Sequence, residues 1–238
     1  MAKLLIIIPT YNEIENIEAI INAVMALSDN YSVLVVDDGS PDGTADKVIS
    51  MIPGLNGRLN IIQREGKLGL GTAYIAGFKW ALERDYDFIM EMDADFSHNP
   101  KDVPRLVEAC KGEGVGMAVG SRYMKGGGFR NWSKYRLMLS YGASLYTRMI
   151  TWMPVKDATA GFVVYKREVL EKMNLDKIEF IGYAFQIEMK YYCYSLGYKI
   201  KEVPIIFVDR ELGTSKMNSS IIKEAVLGVI KMRLRKYG

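Results

Sequence analysis

The sequence has few cysteines and a single histidine, and these shortages exclude several kinds of site. Its 238 residues include two cysteines, Cys110 and Cys193, which stand far apart and in no metal-ligand spacing. A disulfide framework and a zinc site are therefore not indicated, and the usage fits a reducing compartment. No nucleophile-elbow motif accompanies His98, the one histidine, so a Ser-His-Asp hydrolase is not favoured.

Long apolar runs and a strong excess of charge are also missing. The first apolar run stops at Pro9, and no stretch reaches the ~18–20 apolar residues of a transmembrane helix. We therefore expect neither a signal peptide nor a membrane span. A net charge of +3 gives no argument for a nucleic-acid partner. Without a linker, repeat or low-complexity tract, the length predicts one domain with a sizeable core.

The first half of the chain alternates between buried strands and amphipathic helices. Strands are predicted at 4–8, 31–38, 59–63, 86–93 and 115–121, and helices at 12–27, from Thr44, at 72–84 and at 99–111. The second half is less regular, with helices predicted at 136–152, at 184–196 and at the C-terminus, and a short strand pair near 199–208. The fold class predicted is α/β, with a mostly parallel central sheet flanked by helices.

Polar clusters follow four of the predicted strands. They are "PTYNE" (9–13), "DDGSPDGT" (37–44), "DADFSH" (93–98) and "SRY" (121–123). In an open α/β sheet, ligands bind outside the carboxyl ends of the strands. We therefore expect the four clusters to form one site.

The pair Asp93 and Asp95 in "MDADFSH" indicates a metal site. Two residues apart in an extended chain, both carboxylates can face one side and would repel each other. A hard divalent cation removes that penalty, and Mg²⁺ is usually held by one or two carboxylates plus substrate phosphates. The alternative is a solvated turn at a strand end, where aspartate is common.

Other motifs remain open to two interpretations. "DDGS" fits either a turn or a pair, Asp37 and Asp38, that accepts hydrogen bonds from a base or ribose. No G-x-G-x-x-G follows the first strand, so a dehydrogenase is disfavoured. "GKLGLGTA" (66–73) has the wrong order for a P-loop, although the helix that it opens could favour an anion.

Several motifs together resemble the family-2 glycosyltransferases, and within them the dolichol- or polyprenol-phosphate mannosyltransferases. They are "PTYNE", "VVDDGSPDGT", "GKLGLGTAY", "MDADFSHNP", "GSRYMKGGGFRNW" and "DATAGF". The resemblance runs from about residue 4 to Lys216, and "GGGFRNW", Arg136, Ser140 and "DRELGTSK" (209–216) point to the polyprenol-phosphate branch. It departs at "TAGFV" (159–163), where the family commonly has T-S-G-F-R, so we assign no function to Ala160 or Val163.

This resemblance implies a GT-A (Rossmann-like) fold, a GDP-mannose donor, a dolichyl or polyprenyl phosphate acceptor and a Mg²⁺ or Mn²⁺ cofactor. The residues implied to bind the nucleotide sugar are Pro9, Tyr11, Glu13, Val36, Asp38, Asp93, Ala94, Asp95, Arg122, Arg210 and Lys216. Those implied for the metal are Asp95, Asp93 and Ser97; for the acceptor phosphate, Arg122, Arg136 and Ser140; and for catalysis, Asp93, Asp95 and Arg122.

The expected reaction is direct displacement, with inversion, by a lipid phosphate that is already anionic at neutral pH, which gives polyprenyl β-D-mannosyl phosphate. Residues 209–216 would close over the donor. Two alternatives stay open: a related enzyme that uses a UDP-sugar, and a non-catalytic nucleotide-binding module on the same fold.

A lipid acceptor requires access to a membrane, and two segments could supply it. Residues 137–153 are apolar, aromatic and Met-rich, which fits a core helix or a membrane surface equally. The C-terminal segment has an apolar stripe (Ile221, Ile222, Ala225, Val226, Val229, Ile230) and a basic end (Lys231, Arg233, Arg235, Lys236). We expect a catalytic domain at 1–216 and a helix at 217–238 that is part of it or interfacial. The protein is expected to be peripheral on the cytoplasmic face of a membrane, with or without a small anchor protein.

Overall fold

The computed structural model describes residues 2–209, 219–235 and 237. Within them the strands are β1 (Leu4–Thr10), β2 (Tyr31–Asp37), β3 (Leu59–Gln63), β4 (Phe88–Glu91), β5 (Val115–Ser121), β6 (Gly128–Arg130), β7 (Val163–Lys166), β8 (Lys199–Pro204) and β9 (Ile206–Val208). The α-helices are α1 (Ile17–Met25), α2 (Thr44–Met51), α3 (Leu70–Leu82), α4 (Val103–Cys110), α5 (Lys134–Thr151), α6 (Arg167–Lys172), α7 (Tyr183–Ser195) and α8 (Ser219–Leu234).

The main sheet of the described residues has the order β3-β2-β1-β4-β7-β5-β8. All neighbouring pairs are parallel except those of β7, which runs antiparallel to both β4 and β5. A mostly parallel sheet is therefore confirmed. The carboxyl ends of β1, β2, β4 and β5 lie at one edge, and the chain that enters β7 starts from that same edge. A small second sheet pairs β6 with β9 in parallel.

The main sheet is buried on both faces, as the continuous apolar run of β1 requires. Leu4, Ile6 and Ile8 point to a cluster that includes residues of α1 and α4. Leu5 and Ile7 point to the other side, where residues of α3 and α7 cover them. Helices on both faces leave β1 without a polar side, so its sequence shows no alternation. The backbone of α3 approaches β1 closely at Gly77, where a Cβ would lie 2.8 Å from Ile7.

A third cluster joins α7, α8 and the end of α5. Val229 and Met232 of α8 are buried against Ile187 and Tyr191 of α7 and Met153 after α5. None of the described helices combines the length and the apolar character that crossing a membrane needs.

The structure differs from the sequence-based elements at several places. The first helix starts at Ile17 rather than near residue 12, because hydrogen bonds tie residues 12–14 to the loop after β2. Strand β7 and helix α6 lie in a region where only a turn was expected. The two short strands near 199–208 do not pair with each other, since β8 extends the main sheet and β9 pairs with β6.

Candidate active site

Short polar contacts tie the loops that follow β1 and β2 to each other. Asp37 is buried; its Oδ1 accepts a hydrogen bond of 2.8 Å from the Thr10 hydroxyl, and its Oδ2 accepts one of 2.9 Å from the Ser40 backbone N–H. The Ser40 hydroxyl accepts a 3.0 Å hydrogen bond from the backbone N–H of Asn12, which has a φ of +61°. Asp37 therefore joins the two loops, a structural use of its carboxylate.

A second tie fixes the far end of the same loops. The backbone N–H of Glu13 donates to Thr44 Oγ1 at 3.0 Å, and that of Ile14 donates to Asp42 Oδ2 at 3.1 Å. Tyr11, between the two ties, keeps 40% of its surface exposed. The loop after β1 thus holds Tyr11 at the surface on a fixed backbone.

The other predicted nucleotide ligand in this region, Asp38, forms a nearly buried ion pair with Arg64. Nε and Nη2 of Arg64 lie 2.7 and 2.5 Å from Asp38 Oδ1, and Nη1 donates to Thr72 Oγ1 at 2.7 Å. Arg64 thereby fixes Asp38 against the first turn of α3. Val36 differs from Asp38, because its side chain lies in the core and only its backbone borders the loop. Sequence reasoning did not identify Arg64, which precedes the glycine-rich loop without a motif of its own.

The segment after β4 presents Asp93 and Asp95, both partly exposed, at the carboxyl edge of the sheet. The chain turns sharply there, with Phe96 at a φ of +58°, and Asp95 Oδ1 accepts a 3.0 Å hydrogen bond from the Ser97 backbone N–H. Asp93 Oδ2 lies 3.8 Å from Nδ1 of His98. Burial lowers the pKa of His98 to about 4, although Asp95 opposes this, so the imidazole is neutral at pH 7.

Two buried polar atoms of this turn have no hydrogen-bond partner among the described residues: Ser97 Oγ and His98 Nδ1. A buried hydroxyl without a partner is costly unless a ligand satisfies it. Together with the two carboxylates it offers hard oxygen donors of the kind that Mg²⁺ and Mn²⁺ prefer. No group of three or more His, Cys, Asp or Glu side chains with metal-binding geometry exists in the described part of the chain. A cation here would complete its coordination with phosphate oxygens or water, so the residues fit a metal that binds with a diphosphate.

Arg122, at the end of β5, is held by a carboxylate that the sequence analysis did not identify. Its backbone N–H and Nε donate to Asp157 Oδ2 at 2.9 and 2.7 Å, and Nη2 donates to Asp157 Oδ1 at 2.6 Å. The pair is buried, with side-chain exposures of 9% for Arg122 and 0% for Asp157. Glu202 of β8 holds Asp157 in turn, because it accepts hydrogen bonds from the backbone N–H groups of Lys156 and Asp157 at 2.9 and 3.0 Å. Asp157 belongs to the motif "DATAGF" (157–162), and this motif is the sequence signal that could have identified it.

The predicted acceptor residues Arg136 and Ser140 lie one turn apart on α5. Nη1 of Arg136 donates to Asp209 Oδ2 at 2.6 Å, and about a quarter of each of these two side chains is exposed. The guanidinium of Arg136 also stacks on Trp132, with Cζ 4.3 Å from the ring centroid. Arg122 and Arg136 are therefore both paired with carboxylates, one deep and one near the surface.

Phe207 of β9 connects the aspartate turn to Arg122. Its ring centroid lies 5.2 Å from that of His98 and 5.6 Å from Cζ of Arg122. The backbone N–H of Val208 donates to the Ser97 carbonyl oxygen at 3.1 Å. Strand β9 thus contacts both the turn that carries the predicted metal ligands and the predicted acceptor residue Arg122.

A buried polar network lies behind the site. Glu91 of β4 accepts a hydrogen bond of 2.6 Å from the Tyr165 hydroxyl and another from the Gln186 amide. Lys190 donates to the carbonyl oxygen of Ala160 at 2.6 Å. Burial raises the pKa of Glu91 and lowers that of Lys190, and the attraction between the two groups opposes both shifts. This network fixes the loop between Asp157 and β7 from behind.

The structure thus brings Pro9, Tyr11, Glu13, Asp38, the Asp93–Asp95 segment, Ser97, Arg122, Arg136 and Ser140 to one edge of the molecule. Arg210 and Lys216, both predicted to contact the donor, lie outside the described residues, as does most of the predicted closing loop.

Comparison with known proteins identifies the class. The chain belongs to glycosyl transferase family 2, which matches residues 5–173. Its fold is that of glucosyl-3-phosphoglycerate synthase from Mycobacterium tuberculosis, solved in complex with Mn²⁺, UDP and glucosyl-3-phosphoglycerate. The TM-score is 0.68 at 20% identity, covering 100% of this chain and 80% of that chain. The expected GT-A fold is confirmed.

Two curated relatives are much more similar in sequence. Polyprenol monophosphomannose synthase of Mycolicibacterium smegmatis is 45% identical over 236 residues, covering 98% of this chain and 88% of the relative. Undecaprenyl-phosphate mannosyltransferase of Micrococcus luteus is 44% identical over 232 residues, covering 98% of this chain and 94% of the relative.

Proposed function

We propose that this enzyme transfers mannose from GDP-mannose to a dolichyl or polyprenyl phosphate, with inversion, to give polyprenyl β-D-mannosyl phosphate. The observation that carries the proposal is the shared contact with β9, which puts the Asp93–Asp95 turn beside Arg122. A donor diphosphate bound at the Asp93–Asp95 turn and an acceptor phosphate bound at Arg122 would therefore lie next to each other at β9. The names of the two curated relatives support the sugar and the class of lipid.

On the donor side, the nucleotide lies over the joined loops after β1 and β2, with Tyr11 and Asp38 in contact with it. Asp95, Asp93 and Ser97 would hold Mg²⁺ or Mn²⁺ with the diphosphate. When bound, the cation stabilises the negative charge that develops on the departing nucleoside diphosphate. Ala94 forms the buried floor between the two aspartates. Arg210 and Lys216 are proposed to close over the same phosphates.

On the acceptor side, Arg122, Arg136 and Ser140 orient the lipid phosphate for attack on the anomeric carbon. A phosphate monoester has a second pKa near ~6 and is an anionic nucleophile at pH 7 without a general base. Guanidinium groups suit this task because they bind phosphate in a bidentate way. The enzyme therefore contributes mainly position and positive charge.

Helix α5 supplies the face that we place on the membrane. It starts beside the acceptor arginine and continues as a row of large exposed apolar side chains: Tyr135, Met138, Tyr141, Leu145, Met149 and, at its end, Trp152. Arg233 of α8 stacks on Trp152, with Cζ 4.6 Å from the ring centroid, and adds positive charge at this end. A basic, aromatic and apolar face suits anionic lipid on the cytoplasmic leaflet.

The C-terminal helix is better explained as part of the catalytic domain than as a separate anchor. Lys231 Nζ lies 2.5 Å from Glu179, and Arg235 donates to Glu188 at 3.3 Å. Half of its basic end is thus neutralised within the chain. Helix α5 is therefore the proposed contact with the bilayer, and a separate small anchor protein stays a prediction.

The experiment is incubation of the full chain with GDP-mannose or, in a parallel reaction, UDP-glucose, together with Mg²⁺ or Mn²⁺ and a short polyprenyl phosphate. We expect a β-linked mannosyl lipid phosphate and no product after chelation of the metal. An α-linked product would overturn the mechanism, and transfer from UDP-glucose instead would identify a different donor. Nucleotide binding without any turnover would favour a non-catalytic module.

The membrane face is tested by flotation with anionic liposomes. Met149→Ser with Trp152→Ser should reduce binding severalfold, while Leu68→Ser, at an exposed apolar residue outside α5, should not. Equal binding of the parent protein, the double variant and Leu68→Ser would exclude α5 as the membrane contact.

A further inference from the structure

Trp132 contacts both proposed acceptor arginines, although they come from different elements of the fold. Cζ of Arg122, at the end of β5, lies 5.3 Å from the Trp132 ring centroid. Cζ of Arg136, in the first turn of α5, lies 4.3 Å from it. One indole therefore contacts two cations whose charges repel each other.

The position of the indole is itself fixed by neighbouring rings. Phe129 of β6 packs on it with ring centroids 4.3 Å apart, and Phe207 of β9 meets it edge-on at 5.4 Å. Both neighbours belong to the small β6–β9 sheet, which pairs Phe129 with Phe207 in register. The packing of Phe129 and Phe207 against Trp132 thus fixes the position of the indole.

Each guanidinium is also held from a second direction. Asp157 accepts three hydrogen bonds from Arg122, whereas Asp209 accepts one from Arg136. The ring attracts each cation through its π face, and this attraction strengthens where water is excluded. Arg122 also donates to the Thr159 hydroxyl at 3.0 Å, and its Cζ lies 5.5 Å from the Phe129 ring and 5.6 Å from the Phe207 ring. Trp132 differs from those rings because it contacts Arg136 as well.

We propose that Trp132 is a positioning residue that sets the spacing of Arg122 and Arg136 before the acceptor phosphate binds. This inference rests on the proposed function, since it takes the two arginines as the acceptor-phosphate site. It explains "FRNW" (129–132) in physical terms: the motif places the ring that two distant arginines share.

The test measures binding of a short polyprenyl phosphate by calorimetry, and steady-state transfer, in the full chain. Trp132→Leu should weaken acceptor binding about tenfold and raise the acceptor KM similarly, because two cation–π contacts are lost. Affinity for GDP should stay within about twofold. Trp132→Phe should recover part of the loss, since a phenyl face still attracts cations.

The matched control is Trp80→Leu, which removes the ring that Arg84 stacks on at 3.7 Å, in a part of α3 that carries no proposed ligand. It should leave acceptor binding unchanged. In an Arg136→Met background, Trp132→Leu should add less than it does in the parent protein, because one of the two cations it positions is gone.

Acceptor binding by Trp132→Leu equal to that of the parent protein would overturn the inference while leaving the proposed function intact. Equal losses for GDP and for acceptor would do the same, since they would show general structural damage. Failure of the unsubstituted protein to bind the lipid phosphate would overturn the proposed function together with this inference.

Discussion

The proposed donor side and the proposed acceptor side of the site are held together largely by different kinds of contact. On the donor side, hydrogen bonds between Thr10, Asp37 and Ser40 join the loops that follow β1 and β2, and one ion pair, Asp38–Arg64, holds the second loop against α3. On the acceptor side, ion pairs and aromatic rings join residues from β5, α5 and the entry to β7. The donor side therefore mainly fixes a backbone, whereas the acceptor side mainly fixes two guanidinium groups, each paired with a carboxylate.

This difference determines what a substitution should do. Loss of one donor-side hydrogen bond should mainly change nucleotide affinity, because the surrounding loop keeps its other hydrogen bonds. Loss of a buried acceptor-side carboxylate should change stability as well, because an unpaired guanidinium is left without water.

The largest effect is expected at the turn that separates the two sides. Asp95→Asn should lower turnover by about 1,000-fold, because the proposed metal loses its main carboxylate. Radiolabelled mannose transfer measures it, with circular dichroism to confirm the fold. Asp29→Asn, at a fully exposed side chain, is the control and should retain activity. Turnover of Asp95→Asn within tenfold of the parent protein would contradict the metal assignment.

Asp157→Asn should reduce the free energy of unfolding by about 3 kcal/mol, because it breaks a buried ion pair. The amide keeps one acceptor oxygen but places an N–H group against the Arg122 guanidinium. Urea denaturation measures the change. A loss below about 1 kcal/mol would contradict the view that the buried Arg122–Asp157 pair depends on the charge of Asp157.

Arg64→Met should weaken GDP binding by about tenfold, because Asp38 loses the partner that orients it. It should also lower the free energy of unfolding, because the nearly buried Asp38 carboxylate is left without its cation. Acceptor binding should change little. Calorimetry with GDP and with polyprenyl phosphate separates the two effects. Arg58→Met is a suitable control, since Arg58 is also partly buried and donates to the Ser28 carbonyl oxygen. Equal weakening of both ligands would show that the two sides are not independent.

Asp209→Asn should change stability least, by less than about 1 kcal/mol, because this pair is partly exposed and solvent screens it. The same urea titration as for Asp157→Asn provides the comparison. If Asp209→Asn lowers the free energy of unfolding as much as Asp157→Asn does, the buried Arg122 pair and the partly exposed Arg136 pair do not differ in their contribution to stability.

The sequence was most informative where a local pattern determines structure. The apolar run of β1 predicts a strand covered on both faces, and "MDADFSH" predicts paired carboxylates at a strand end; both features are present. Strand β7 was missed because its four residues carry no period and its position between β4 and β5 depends on pairing across the chain. Asp157 and Arg64 were missed for a related reason: their partners, Arg122 and Asp38, are distant in sequence.

The antiparallel insertion of β7 has a consequence for the newly made chain. β5 finds its neighbours only after β7 and then β8 have been synthesised, whereas β1 to β4 can pair as soon as they emerge. Until then β4 is an open edge of the sheet and β5 is an apolar strand without a neighbour, and their unsatisfied backbone groups are a template for aggregation. Translation that stalls between β5 and β7 should therefore yield an insoluble product.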